Sequence, residues 1–180
     1  MSEDAPQLDL RVTLYPEPVL RRRAEPYEAF DEALAALVQS MFERMYASKG
    51  VGLAAPQVGV GKRLLVANHT GESEDELVLV NPTLKETFGT KTTFEEGCLS
   101  FPGIYAEVVR PESCTVEAFD VEGNAKTYTF HGFQSRVIQH EYDHLEGVLL
   151  VDRMSPADKQ RHKGALGELV EAYRRARARA

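Results

Sequence analysis

Between Asp31 and Ser48 the apolar residues Leu34, Leu37, Val38, Met41, Phe42 and Met45 recur at three-four spacing with polar residues between them. That period predicts an amphipathic helix with one buried face, and Gly50 stands where such a helix can end. From Arg63 to Phe130 the pattern changes to short β-prone runs at residues 64–66, 77–80, 105–109, 115–119 and 127–130. Residues 71–75 and 120–124 are polar and carry Gly71 and Gly123, so they are expected as a surface turn and a hairpin connection. Helical spacing returns over residues 133–145 with Val137, Ile138 and Leu145, and Gly147 closes it. Leu149-Leu150-Val151 reads as one more strand. Ser155 then opens a last helix, with Pro156 at its first position and Asp158 in its first turn.

These elements predict an α+β fold: a mostly antiparallel sheet packed around a central helix at 133–145, with an N-terminal helix and a C-terminal helix. Residues 1–10 mix acids, Pro and Gln without periodicity and are expected as a disordered tail. Tyr15-Pro16-Glu17-Pro18 is expected as a loop, because each Pro restricts the residue before it. Residues 11–180 are then one domain, ending in a basic helix at about 156–180.

Composition agrees and adds constraints. With 180 residues and 43% hydrophobic positions, the chain can bury one proper core but hardly two. No apolar run is long enough to span a membrane, and the acidic N-terminus does not resemble a secretion signal. Cys98 and Cys114 are expected as free thiols in a reducing cytoplasm, and a monomer is expected. The net charge of −7 is uneven: residues 153–180 carry eight Lys or Arg against three acids, the rest of the chain −12. Arg174, Arg175, Arg177 and Arg179 would attract an anionic partner such as nucleic acid, or simply complement a helix C-terminus.

The densest chemistry is His140-Glu141-Tyr142-Asp143-His144, an H-E-x-x-H pattern within the second predicted helix. Residues four apart project from one face, so both imidazoles can reach one ion, and Glu141 can approach a water on it as general base. A catalytic ion typically needs a third protein ligand. No His or Glu follows at the metzincin offset, and Cys98, in a loop beside Gly97, is the best remaining donor. Cys114 sits inside an alternating strand and is expected as a structural thiol. His69, His131 and His162 have no partner at ligand spacing and are expected as ordinary histidines.

Three segments, Gly50-Val51-Gly52-Leu53-Ala54-Ala55-Pro56-Gln57, Glu96-Gly97-Cys98-Leu99-Ser100 and residues 139–147 around the two histidines, closely resemble in order and spacing the signature motifs of the peptide deformylases. The resemblance extends to residues 15–21 and to Asn81-Pro82, hence to nearly the whole chain beyond the first ten residues. It implies a cytoplasmic, bacterial-type hydrolase that removes the formyl group from N-terminal formyl-methionine during protein biosynthesis and releases formate. Cys98, His140 and His144 are then the metal ligands, with Fe2+ expected and Zn2+, Ni2+ or Co2+ as substitutes. Glu141 is the base and acid, and Gln57 and Leu99 stabilise the oxyanion. The resemblance also implies that Val51, Phe133 and Val137 line a methionine pocket. Gly50 and Gly52 let an extended peptide approach closely. Tyr105 stands where some members carry Arg, so anchoring beyond the first residue is expected to differ. The last helix resembles one that docks on ribosomal RNA. The competing readings are a zinc endopeptidase and a ribosome-associated protein with a vestigial site.

Overall fold

The computed structural model describes residues 8–179. The expected N-terminal tail falls partly on residues 1–7, which lie outside the described residues. Leu8 and Leu10 are held on the body: the Leu8 N–H donates to Ser40 Oγ at 3.0 Å, and Leu10 packs on the first helix.

A five-stranded antiparallel sheet, in sequential order, is built from β1 (Gly52–Ala54), β2 (Leu64–Ala67), β3 (Leu77–Gly97), β4 (Tyr105–Phe119) and β5 (Ala125–His131). Helix α1 (Glu32–Ala47) covers one face and α2 (Gly132–Leu145) the other. This arrangement explains the unbroken apolar run of β2. Leu64 and Val66 pack under α1 while Leu65 and Ala67 meet Val137, Ile138 and Leu145 of α2, so both faces of the strand are buried. The α+β architecture expected from the pattern is the one observed, with the H-E-x-x-H helix against the middle of the sheet.

Local chemistry accounts for the boundaries. Asp31 caps α1 by accepting from the Leu34 N–H at 3.0 Å. At the other end Lys49, with φ 57°, and not Gly50, takes the left-handed position, and the Gly50 N–H returns to the Met45 carbonyl. Asn81, at φ 51°, bends β3 beside Pro82 and clamps the Tyr27 backbone through both ends of its amide. The strand expected at 77–80 runs on to Gly97, and the runs at 105–109 and 115–119 are halves of one strand. Residues 89–95 are exposed and mostly polar, so no alternation marks them.

Two expectations are corrected. Leu149-Leu150-Val151 is not a strand: Leu150–Arg153 forms one helical turn, α3, because the Asp152 carboxylate caps the Leu149 N–H at 2.8 Å and Leu149 and Leu150 turn into a third apolar cluster with Leu20, Phe101 and Met154. The single last helix is two, α4 (Pro156–Arg161) and α5 (Lys163–Arg177), joined at His162. Leu166 and Leu169 seat α5 on the third cluster. Among the described residues no helix is long and apolar enough to cross a membrane.

Candidate metal centre

Helix α2 presents His140 and His144 from one face, their ring centroids 5.3 Å apart. The turn after β3 brings Cys98 to them, with Sγ 3.4 Å from His144 Nε2. One ligand atom from each of Cys98, His140 and His144 lies within 4.8 Å of the other two, the only such grouping among the described residues. Cys114 is instead fully buried, accepts from Ser135 Oγ, and has its thiol pushed up by burial. His131 pairs with Ser113 Oγ and His162 with the Tyr105 carbonyl, away from the cluster.

The charges around the three donors are ordered. His140 Nδ1 donates to Glu96 Oε2 at 3.1 Å, which leaves Nε2 as the lone pair for an ion. Burial would raise the Glu96 carboxyl, but hydrogen bonds from His140 and Arg110 outweigh it and hold the group at about 2. Arg110 also reaches Asp143 at 2.9 Å, and Arg153 grips Asp143 from α3. Burial lowers both imidazoles, and for His140 the contacts with Cys98 and Glu96 reverse the direction. A proton and a cation thus compete for one donor set, as expected of ligands that bind metal deprotonated. Two imidazoles and a thiolate, converging and mostly out of water, fit a single divalent ion with a position left for substrate or water.

Glu141 is buried beside this cluster, and burial lifts its carboxyl to about 7. Its Oε2 has no hydrogen-bond partner, so an acceptor remains for an incoming proton. Gln57 is also buried. Its Oε1 accepts from the Ala54 N–H at 2.9 Å, which aims Nε2 at Cys98 Sγ (3.5 Å) and Ser100 Oγ (3.3 Å). Leu99 follows Cys98 in the turn, its side chain against Gly50.

A cleft of about 550 Å³ opens over these groups. Gly50, Val51 and Gly52 form one wall and residues 94–99 the other, with Phe133, Val137, His140 and Glu141 at the base. Val137 is buried, whereas Val51 and Phe133 are about half exposed to the cleft. The structure therefore gathers every residue singled out for the site. It adds Phe94, whose ring lies tilted against Phe133 with centroids 5.9 Å apart, and the carboxylate-guanidinium cluster behind His140. One signal for the latter lay in the sequence: Ala106, Val108 and Arg110 share the inward phase of β4, and a cation in a core phase implies a buried partner.

Residues 10–160 match the family model described as polypeptide deformylase. Peptide deformylase 1B of Arabidopsis thaliana, chloroplastic/mitochondrial, is 49% identical over 148 residues, 81% of this chain and 54% of that protein. A peptide deformylase of Thermotoga neapolitana is 40% identical over 164 residues, 91% of this chain and 98% of that one. A crystal structure of peptide deformylase from Plasmodium falciparum superposes with a TM-score of 0.88 at 41% identity, covering 91% of this chain and 97% of that chain. The chain spans 54% of the length of the Arabidopsis relative and 62% of a chloroplastic rice relative.

Proposed function

This chain belongs to the polypeptide deformylase family, and on that premise we propose that it is a metal-dependent hydrolase that removes the formyl group from the N-terminal formyl-methionine of new polypeptides and releases formate. The observation that carries this reading is the convergence of Cys98, His140 and His144 beside a cleft that Gln57, Cys98, His140 and Glu141 line.

Cys98, His140 and His144 would hold the ion, ferrous iron in this reading, with zinc, nickel or cobalt able to replace it in a His₂Cys set. When bound, it supplies Lewis acidity toward water and the formyl carbonyl. Glu141 takes the proton of the attacking water and returns it to the departing amine, a role suited to a carboxyl lifted to about 7. The Gln57 side-chain amide, turned toward Cys98 by its bond to Ala54, and the Leu99 backbone N–H donate to the oxyanion that forms as the carbonyl is attacked.

The peptide lies along Gly50, Val51 and Gly52. Strand β1 pairs with β2 on one side only, so its other edge offers backbone groups to an extended chain. The methionine side chain enters between Val51, Phe133 and Val137, with Phe94 closing the pocket. Tyr105 borders the outer cleft, its ring against Gly97, and meets residues after the methionine. The basic end of α5, with Arg174, Arg175 and Arg177, and Arg179 just beyond it, is the surface that would meet ribosomal RNA. A monomer in a reducing compartment, the cytoplasm of a bacterial-type cell, suits the free Cys98 thiol.

The test is formate release from a formyl-Met peptide by anaerobically purified protein, together with metal analysis. Wild type should contain one divalent ion and release formate. Glu141→Ala should keep the ion and lose turnover. Cleavage of internal peptide bonds without formate release would favour the endopeptidase reading, and an active Glu141→Ala would refute the assigned base.

A further inference from the structure

Every second residue at the end of β3 meets one arginine of the metal helix. Thr92, Phe94 and Glu96 share one face of the strand. The Arg136 guanidinium donates to the Thr92 carbonyl at 2.8 Å and hydroxyl at 2.9 Å, lies 5.5 Å from the centre of the Phe94 ring, and donates to Glu96 Oε1 at 2.9 Å. It also reaches the Val108 carbonyl of β4 at 3.0 Å. Arg136 stands one turn before His140 on α2, so both side chains descend on the same carboxylate.

A carboxylate has about four acceptor positions. On Glu96, Oε1 takes Arg110 Nε (2.7 Å) and Arg136, and Oε2 takes Arg110 NH2 (3.1 Å) and His140 Nδ1 (3.1 Å). All four are occupied. Arg110 grips both oxygens and sets the plane of the carboxylate, but alone it leaves the second position on Oε1 without a donor. Arg136 fills that position from α2, so two guanidinium groups brace the carboxylate with its remaining Oε2 lone pair toward His140. The planar fork of Arg136 cannot be replaced by a point charge, because it serves the carboxylate, two backbone carbonyls and the ring face at once.

We infer that Arg136 is a positioning residue for the metal centre: it completes the set of hydrogen bonds that orients Glu96, and through Glu96 it holds the His140 imidazole with Nε2 toward the ion. This rests on the reading of Cys98, His140 and His144 as the ligands. Orienting partners of metal-bound histidines are typically worth roughly 10- to 100-fold in metal affinity.

The test uses Co2+, whose affinity is read by competition with a chromophoric chelator and whose visible spectrum reports ligand geometry. Arg136→Met should bind Co2+ roughly 10- to 100-fold more weakly with an altered spectrum. Arg136→Lys, which keeps the charge and most of the packing, should fall between it and wild type, and it carries the test if the Met variant does not fold. Thr92→Val removes the hydroxyl contact between Arg136 and β3 but spares the bonds to the Thr92 carbonyl and to Glu96. It should lower the melting temperature while leaving Co2+ affinity and spectrum as in wild type. A folded Arg136→Met with wild-type affinity and spectrum overturns the inference, as does an equal loss of affinity in Thr92→Val, which would make Arg136 a structural tie only. Wild type that binds no Co2+ refutes the ligand assignment itself.

Discussion

Gly52 is the seat of Glu141. A Cβ at position 52 would lie 2.6 Å from Glu141 Oε1 and 2.8 Å from its Cγ, closer than atoms approach without displacement. The carboxylate is buried at the edge of the cleft, so it must shift from its present place beside the histidines. Gly52→Ala should therefore move the base and lower kcat by roughly 10²- to 10⁴-fold, the usual worth of a general base. Bound metal should be retained, which steady-state kinetics and metal analysis on the same preparation can check.

Gln57→Ala should lower kcat by about 100-fold, or about 3 kcal/mol, if its amide serves the oxyanion, with little change in KM. The same substitution strips the Ala54 N–H of its acceptor and should cost about 1–3 kcal/mol of stability. Denaturant titration separates the two effects. A variant that is destabilised but fully active would remove Gln57 from the chemistry.

Chelation offers a reversible test of the donor set. An ion that binds the folded state and not the unfolded one stabilises the fold by mass action. Removing it should abolish formate release and lower the melting temperature, and one equivalent of divalent metal should restore both. Cys98→Ser should not recover with added ion to the wild-type extent, because a hydroxyl is a poorer donor than a thiolate.

Asp152 makes the anchoring of α3 sensitive to acid. Burial would raise its carboxyl, but the ion pair with Arg21 and the Leu149 N–H hold it below the ordinary value. A folded-state pKa below the unfolded value of about 3.9 contributes stability that is present above that value and lost as pH falls through the lower one. Melting curves of wild type and Asp152→Asn should be separated at neutral pH and converge in acid. Separation that persists at low pH would mean that packing, and not charge, holds this turn.

The sequence alone revealed the parts of the site that rest on local periodicity. His140, Glu141 and His144 follow from one helix and its 3.6-residue period. Strand β2 and helix α1 were equally legible because burial imposes a pattern on consecutive residues. Contacts between distant segments left little trace. Glu96 meets Arg110, Arg136 and His140 across separations of 14, 40 and 44 residues; Arg110 betrays a buried partner by its inward phase in β4, but nothing local names Glu96 or Arg136 as that partner. Cys98 was the best remaining donor by elimination but became a secure candidate only through the resemblance of Glu96-Gly97-Cys98-Leu99-Ser100, since no spacing rule links a loop sulfur to a helix 42 positions on. The far half of β3 stayed hidden for the opposite reason. Solvent meets residues 89–95, so nothing selects an alternating pattern there. The strand misread at 149–151 failed because three apolar residues suit a buried turn as well as a strand, and a side chain outside the run, Asp152, decides between them.

The open side of β1 has a consequence for how the protein behaves in solution. An unsatisfied strand edge is a template for any extended chain, including another copy of this protein, and a long flat one would invite aggregation. Here the edge is three residues long and sits in a cleft wall whose opposite side is the end of β3. So short an edge, facing a second wall, suits a single extended peptide better than the long pairing a second folded sheet would need. At the other margin of the sheet, β5 is longer and carries Lys126, Thr127 and Thr129 outward. One edge is guarded by shape and the other by polarity, so the feature that admits a peptide need not make the molecule sticky.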